Sequence, residues 1–461
     1  MAVRTKVNSG ARKRLFALLA TVIGSSVVIL DGSIVNLALP KIAAEWHASY
    51  ADLQWITDAY LLSLSALILL GGSLGDILGR KKVYLVGLIG FGVTSMLCAI
   101  APNITMLILA RIFQGVFGAL LVPGALAIIN TNFVSSARSQ AIGRWTAWSS
   151  IAVVLAPFLG GWILGVTSWR WIFFINIPLI IACFLLALSS ISETKDDNPR
   201  RIDVLGALLV SLALAGITYG LIEGPAQQWS SLTIASLVLG VIASMCFLLY
   251  ESRSRDPMVE LALFKSKNFV GANLMTFMMY GALGGFIFAL VIYLQTHMHY
   301  SPFAAGLSLL PISVLLMLFA GKVGRLSAQY GPRLFMTAGP LFAAAGIALL
   351  FFLRPGDSYI AGVLPGVLLF GVGMALLVSP LTTTVMASVS KDDSGIDSGI
   401  NNAISRVASL IVVALLGLLG ATHAYEFAMA LCAVLAATAG VISYVMIENV
   451  YGQKRNRKLS D

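Results

Sequence analysis

The chain has 461 residues, 58% of them hydrophobic and only 11% charged, where a soluble domain carries about 25% charged residues. That balance excludes a soluble globular protein and leaves room for many membrane spans of roughly 20 residues each. The net charge of +10 then reads as Lys and Arg gathered in loops on one side of a membrane, and no nucleic-acid partner is expected.

Apolar runs separated by charge clusters and Gly/Pro/Asn turns predict fourteen spans. They cover about 15–39, 53–75, 83–101, 104–131, 138–165, 171–191, 204–222, 231–250, 268–296, 303–326, 333–353, 359–388, 395–420 and 424–447. The basic N-terminus leads into a first span too long for a signal-peptide h-region, so no cleaved leader is expected. With the N-terminus inside, 26 of the 30 Lys and Arg residues fall on the inner side. Three (Lys41, Arg170, Arg354) fall outside, and Arg111 lies within span 4. This asymmetry predicts both termini in the cytoplasm and a multi-pass protein of the plasma (inner) membrane. The four cysteines lie in spans without disulfide or metal spacing. No cofactor, metal site or enzymatic chemistry is expected.

The first span raises the central question. SVVILDGSIVNLALPK places Asp31 in a run, Leu15 to Leu39, with no other charge. A carboxylate there costs roughly 2.5–3.5 kcal/mol or more unless paired, protonated or wetted. Asp31 lies about 12 Å from the outer end of span 1, Asp58 about 9 Å into span 2, and Arg111 about 12 Å into span 4, at ~1.5 Å per residue. Three ionisable groups are thus expected at one depth, with Gln114 on the same face as Arg111. The functional reading is a proton site: a carboxylate that binds a proton in one state and yields it when a cation approaches. The alternative is a fixed ion pair that ties helices together. Glu223, at the end of span 7, is expected in a solvated loop.

Between spans 2 and 3, GGSLGDILGRKK supplies Gly72, Gly75, Asp76, Gly79, Arg80 and Lys81. Its glycines permit a tight turn, and its charges can cap a helix, bridge neighbouring helices or hold one conformation as a gate. No GxxxxGK[ST] P-loop is present. In span 5, Pro157, Gly160 and Gly161 predict a kinked helix packed closely on a neighbour. Span 9 carries Met275, Met279 and Tyr280, a surface suited to an adaptable pocket wall or to ordinary packing. With Gln54, Gln114, Asn401 and Asn402 these are candidate substrate-cavity residues.

An internal repeat organises the chain. GVFGALLV at 115–122 returns as GVGMALLV at 371–378, an offset of 256, and Gly72 and Gly79 fall on Gly324 and Gly331 at an offset of 252. Spans 1–6 and 9–14 therefore read as two parallel copies of a six-helix unit with spans 7 and 8 inserted, an arrangement used by secondary transporters. The expected domains are 1–192, an inserted segment 193–260, and 261–461. At matched positions Asp58 becomes Leu310, Asp76 becomes Ala328 and Arg111 becomes Val367, so ion chemistry is expected in the first half.

Taken together these stretches resemble the major facilitator superfamily, in its 14-helix drug:proton antiporter branch. LDGSIVNLALPKI resembles the branch's first-helix motif, with Asp31 at the acidic position. GGSLGDILGRKK resembles the superfamily loop signature, with Ile77 at a position usually arginine. LILARIFQGVFGA resembles the fourth-helix motif, with Arg111, Gln114 and Gly115. APFLGG resembles the antiporter motif, with Ala156 where glycine is usual, and WRWIFFINIP (Trp169 to Pro178) is typical of the branch. The resemblance implies an all-α membrane fold of two six-helix bundles plus two inserted helices. It also implies proton-coupled export of lipophilic small molecules by alternating access, with Asp31 and Arg111 in the coupling machinery. Protons, a lipophilic substrate and membrane lipid are the expected partners of a monomer. A lipid or glycolipid flippase on the same scaffold is the alternative, followed by a non-transporting sensor or scaffold.

Overall fold

The computed structural model describes residues 2–133, 135–196, 203–254, 257, 259, 261–387, 394–419 and 424–449. The basic residues expected inside at 200, 201, 255, 391 and 454–458, and the turn at Thr422, lie outside the described residues, as do the side chains of Arg138 and Asp397. Every regular element among the described residues is a helix. Inside a bilayer a helix satisfies all of its own backbone groups, so apolar runs of this length have no other local option.

The helices are α1 (Ala2–Trp46), α2 (Tyr50–Leu78), α3 (Arg80–Ala99), α4 (Ile104–Asn132) and α5 (Ser135–Val166). Then come α6 (Trp171–Phe174), α7 (Asn176–Ser190), α8 (Val204–Ala226), α9 (Ser231–Glu251) and α10 (Lys267–Thr296). The last five are α11 (Pro302–Tyr330), α12 (Pro332–Leu350), α13 (Leu364–Ala387), α14 (Ser394–Leu415) and α15 (Ala424–Met446). Among the described residues thirteen helical stretches are long and apolar enough to cross a membrane, α6 and α7 together forming one. The fourteenth is α5, 32 residues long, whose described apolar stretch is Leu155–Val166. The protein is a multi-pass membrane protein.

Two compact units result. One comprises Met1–Ala215 with Gly240–Met258, the other Gly216–Leu239 with Val259–Asp461, so α8 and α9 each contribute to both. Within the first unit α4 packs on α2 and α3, α1 on α5 and α7, and α3 on α7. The second unit repeats the scheme: α13 packs on α11 and α12, α10 on α14 and α15, and α12 on α15. Helix starts repeat as well. Ser49 caps α2 by accepting from the Asp52 amide at 3.2 Å, and Ser301, 252 residues later, caps α11 by accepting from the Ala304 amide at 3.2 Å. Each hydroxyl satisfies an amide that has no intrahelical partner.

Several boundaries differ from the sequence-based expectation. The first span does not end at Leu39: α1 runs through Pro40 to Trp46. Proline deletes its own amide bond and crowds the carbonyl four residues back, and the extension is fastened elsewhere. Lys41 Nζ donates to the Leu164 carbonyl in the last turn of α5, an orphan acceptor at the negative end of a helix. Glu45 accepts from Trp169 Nε1 at 2.7 Å and pairs with Arg170 at 2.8 Å, while Trp46 meets Trp169 edge-on at 5.1 Å. Asp31 therefore lies 15 residues from the end of its helix rather than eight. Span 12 opens with a π-helical turn, Tyr359–Val363, just before Pro365, which has no amide hydrogen for the ordinary ladder. Glu223 lies inside α8, where it accepts from Gln227 Nε2 at 2.9 Å, rather than in a loop.

Candidate functional site

In the first unit the charged residues of α1 and α4 meet. Asp31 is 0% and Arg111 1% exposed. Arg111 Nη1 donates to Asp31 Oδ2 and, at 2.7 Å, to Gln114 Oε1. Its Nε donates to the Ile56 carbonyl at 3.1 Å. The guanidinium lies 4.2 Å from the Tyr60 ring centroid and 5.8 Å from that of Phe173. This is a fully desolvated, charge-assisted pair whose cation also faces aromatic π-density.

Asp31 Oδ1 takes two further donors. Gln114 Nε2 reaches it at 3.1 Å and Asn176 Nδ2, at the start of α7, at 2.9 Å. Both amides also donate to Ser95 Oγ on α3, at 2.8 and 3.3 Å, and Cys98 Sγ approaches Gln114 Oε1 at 3.5 Å. Five helices thus contribute to one buried polar cluster. Close approach makes it possible. A Cβ on Gly115 would stand 2.0 Å from Ser63 Oγ and 2.4 Å from the Tyr60 carbonyl, so only glycine lets α4 come this near α2. Tyr60 then ties α2 to α1, its hydroxyl donating to the Val28 carbonyl at 3.1 Å.

Asp31, Arg111 and Gln114 were legible from the sequence; Ser95 and Asn176 were not. The signal for Asn176 was an amide inside WRWIFFINIP. Asp58 does not join the cluster. It is fully buried, and neither carboxylate oxygen hydrogen-bonds to a described residue. Equal depth was the wrong criterion for this residue: it sits two positions from Tyr60, and on a helix that turns its side chain about 160–200° from the face that meets Arg111.

The loop motif is tightly structured. Asp76 pairs with Arg80 at 2.7 Å and does not cap α3. That role falls to Glu193, beyond α7, which accepts from the amides of Lys81 and Lys82 at 3.1 Å each. A carboxylate suits the positive end of a helix. The Arg80 amide donates to the Thr194 carbonyl at 3.0 Å, the Asp196 amide to the Asp76 carbonyl at 3.1 Å, and Lys81 Nζ to the Leu188 carbonyl at 2.8 Å. Gly79 has φ +115°, and a Cβ there would lie 2.6 Å from Glu193 Oε1, so glycine is required twice over. Gly72 rests near Pro123, and Gly75 accepts the closing amide of α2 from Gly79 at 3.1 Å.

In α5 the helix continues through Pro157. Gly160 and Gly161 are buried, and a Cβ on Gly160 would come within 2.4 Å of Ile34 on α1, three residues from Asp31. Gln54 is buried on α2. In the second unit Met275 and Met279 are wholly buried, while Tyr280, Asn401 and Asn402 are half-buried. Asn401 Nδ2 donates to Asn273 Oδ1 at 3.0 Å and Thr276 Oγ1 at 2.8 Å, joining α14 to α10.

A profile of the Major Facilitator Superfamily matches residues 21–413. The tetracenomycin C resistance and export protein of Streptomyces glaucescens is 32% identical over 419 residues, covering 90% of this chain and 78% of that protein. Multidrug resistance protein Stp of Mycobacterium tuberculosis is 33% identical over 408 residues, covering 88% and 76%. The multidrug efflux pump LfrA of Mycolicibacterium smegmatis is 31% identical over 393 residues, covering 85% and 78%. Among solved structures, that of a POT family transporter in complex with 5-aminolevulinic acid matches with a TM-score of 0.71 at 13% identity, covering 93% of this chain and 94% of that one. That likeness concerns the fold alone. This chain is a membrane transporter rather than an enzyme, and it belongs to the major facilitator superfamily.

Proposed function

We propose that this protein exports lipophilic small molecules across the plasma membrane in exchange for protons by alternating access, with Asp31 as the proton-carrying carboxylate and Arg111 as its counter-charge. The observation that carries this reading is the sealed Asp31–Arg111 pair, 0% and 1% exposed, on a scaffold shared with resistance and efflux transporters. A buried ion pair is a poor stabiliser compared with apolar packing, and an intramembrane acid is costly unless it has a task. While the guanidinium stays, it and the amide donors of Gln114 and Asn176 surround the carboxylate. When a conformational change withdraws the guanidinium, a proton takes over as the neutralising charge. Asp58, buried without a hydrogen bond among the described residues, is a second carboxylate for the same cycle. The Asp76–Arg80 pair and the Glu193 cap form the gating loop.

The test is proteoliposomes with a pH-sensitive dye inside and ethidium or puromycin added outside, comparing wild type with Asp31→Asn. Proton flux that depends on the compound in wild type and vanishes in Asp31→Asn, with binding retained, is the expected result. Equal flux in both removes Asp31 from the mechanism and turns attention to Asp58. No flux with either compound in wild type counts against drug export and favours lipid translocation, to be followed with a labelled phospholipid.

A further inference from the structure

The groups around Asp31 are mismatched to its protonated form. Arg111, Gln114 and Asn176 all donate to it. A carboxylic acid, however, carries one O–H donor that must find an acceptor when buried. Arg111 has no acceptor atom. Gln114 Oε1 is engaged by Arg111 while the guanidinium is in place and by Cys98 in addition, and Gln114 already meets Asp31 through its Nε2. One oxygen within reach is unspent: Asn176 Oδ1, in a side chain 0% exposed, makes no hydrogen bond among the described residues. The charged or titratable side chains that the surrounding helices bring to this cluster are Arg111 from α4, Cys98 from α3 and Tyr60 from α2. Tyr60 already donates its hydroxyl to Val28.

We infer that Asn176 is the positioning residue for the proton on Asp31, exchanging its amide nitrogen for its amide oxygen when the carboxylate becomes an acid. The inference rests on the proton-site reading of Asp31. The step balances simply. A proton arriving from water bonds to one carboxylate oxygen, and no other covalent bond changes. The amide turns about its Cβ–Cγ bond, so that the two Nδ2 hydrogen bonds, to Asp31 and Ser95, break. Asp31 O–H then donates to Asn176 Oδ1, and the Ser95 hydroxyl turns to donate to the same oxygen. Nδ2 takes the place that Oδ1 held. Each orientation leaves one amide atom without a partner in this cluster, Oδ1 in the first and Nδ2 in the second. A carboxamide can serve both protonation states because it carries a donor and an acceptor on one rotatable plane.

The experiment is infrared difference spectroscopy between alkaline and acid pH on the full-length protein in phospholipid nanodiscs, with Asp31→Asn subtracted to assign the Asp31 bands. In wild type an acid-form carboxyl C=O band of Asp31 is expected. In Asn176→Leu that band moves to higher frequency, because the acid has lost its acceptor. Asn176→Ala gives the same shift should the leucine variant fail to assemble. Isotope-labelled asparagine in the otherwise wild-type chain supplies an independent reading. An Asn amide carbonyl band moves down in frequency on acidification, and the movement is absent in Asp31→Asn. If Asn176 only holds the anion, the carboxylate bands change in the variants but the acid band and the amide band stay where they were. That outcome overturns the inference and leaves the proton-site reading intact. Absence of any Asp31 acid band in wild type overturns both.

Discussion

Helices α1 and α4 meet in the first unit through charge, and their counterparts α10 and α13 meet in the second through rings. At the offset of 256 Gln114 falls on Phe370 and Arg111 on Val367. Phe370 stacks on Phe286 of α10, with centroids 4.5 Å apart and planes 30° from parallel, and both are wholly buried. The same helix pairs pack in both units, so this fold does not need an ion pair to join these helices. A buried pair is often no better for stability than hydrophobic groups of similar volume. The polar cluster of the first unit is therefore a departure that joining these helices does not require.

The comparison can be broken most forcefully at Arg111. Arg111→Leu strands a buried carboxylate and is expected to cost about 3–5 kcal/mol of stability, read as thermal unfolding in detergent, with transport abolished. Adding Asp31→Asn to Arg111→Leu should return stability toward wild type without returning proton-coupled transport, because the first unit then resembles the second. If the double variant is as unstable as the single one, the cluster is structural after all. Next comes Phe370→Ala, expected to cost about 3 kcal/mol through lost contacts and a cavity. Proton flux per correctly inserted molecule should survive in it.

A milder contrast lies at matched glycines. Gly115→Ala forces a Cβ to within 2.0 Å of Ser63 Oγ and 2.4 Å of a backbone carbonyl, whereas Gly371→Ala meets a Leu315 methyl at 2.9 Å and the Ile312 Cα at 3.0 Å. Overpacking of the first kind should cost about 2 kcal/mol, and of the second about 1 or less, measured as the difference in midpoint between the two variants. The smallest effect is expected at the caps. Asn449 Oδ1 accepts from the Arg333 amide at 3.2 Å beside Gly331, φ +90°, the place Glu193 holds beside Gly79. Glu193→Gln should lower stability by about 0.3–1 kcal/mol and make the first cap resemble the second, with the difference shrinking in high salt.

Charge in an apolar run is visible in sequence because it is expensive, and so Asp31 and Arg111 were found while Ser95 and Asn176 were not. A single amide or hydroxyl in a span is common, and only its neighbours from other helices give it meaning. Asp58 shows the limit of arguing from depth, since depth is one coordinate and the angle around the helix is another. The fourteen crossings and the repeat were legible because hydropathy and glycine spacing are local patterns. The passage of α1 through Pro40 was not, since it depends on Lys41 and Glu45 finding partners more than 120 residues away. Glu193 escaped notice for the same reason: it caps a helix 111 or 112 residues earlier in the chain.

That distant cap bears on how the protein could be divided. The two compact units invite expression as two fragments, and hydropathy suggests a cut directly after the sixth crossing, near residue 192. Such a cut would send Glu193, Thr194 and Asp196 away with the second fragment, although all three are bonded to the loop around Gly79. The amino-terminal fragment would then begin α3 with bare amides. A severed pair intended to reassemble should keep residues 193–196 on the first piece, and the tail through Asn449 on the second.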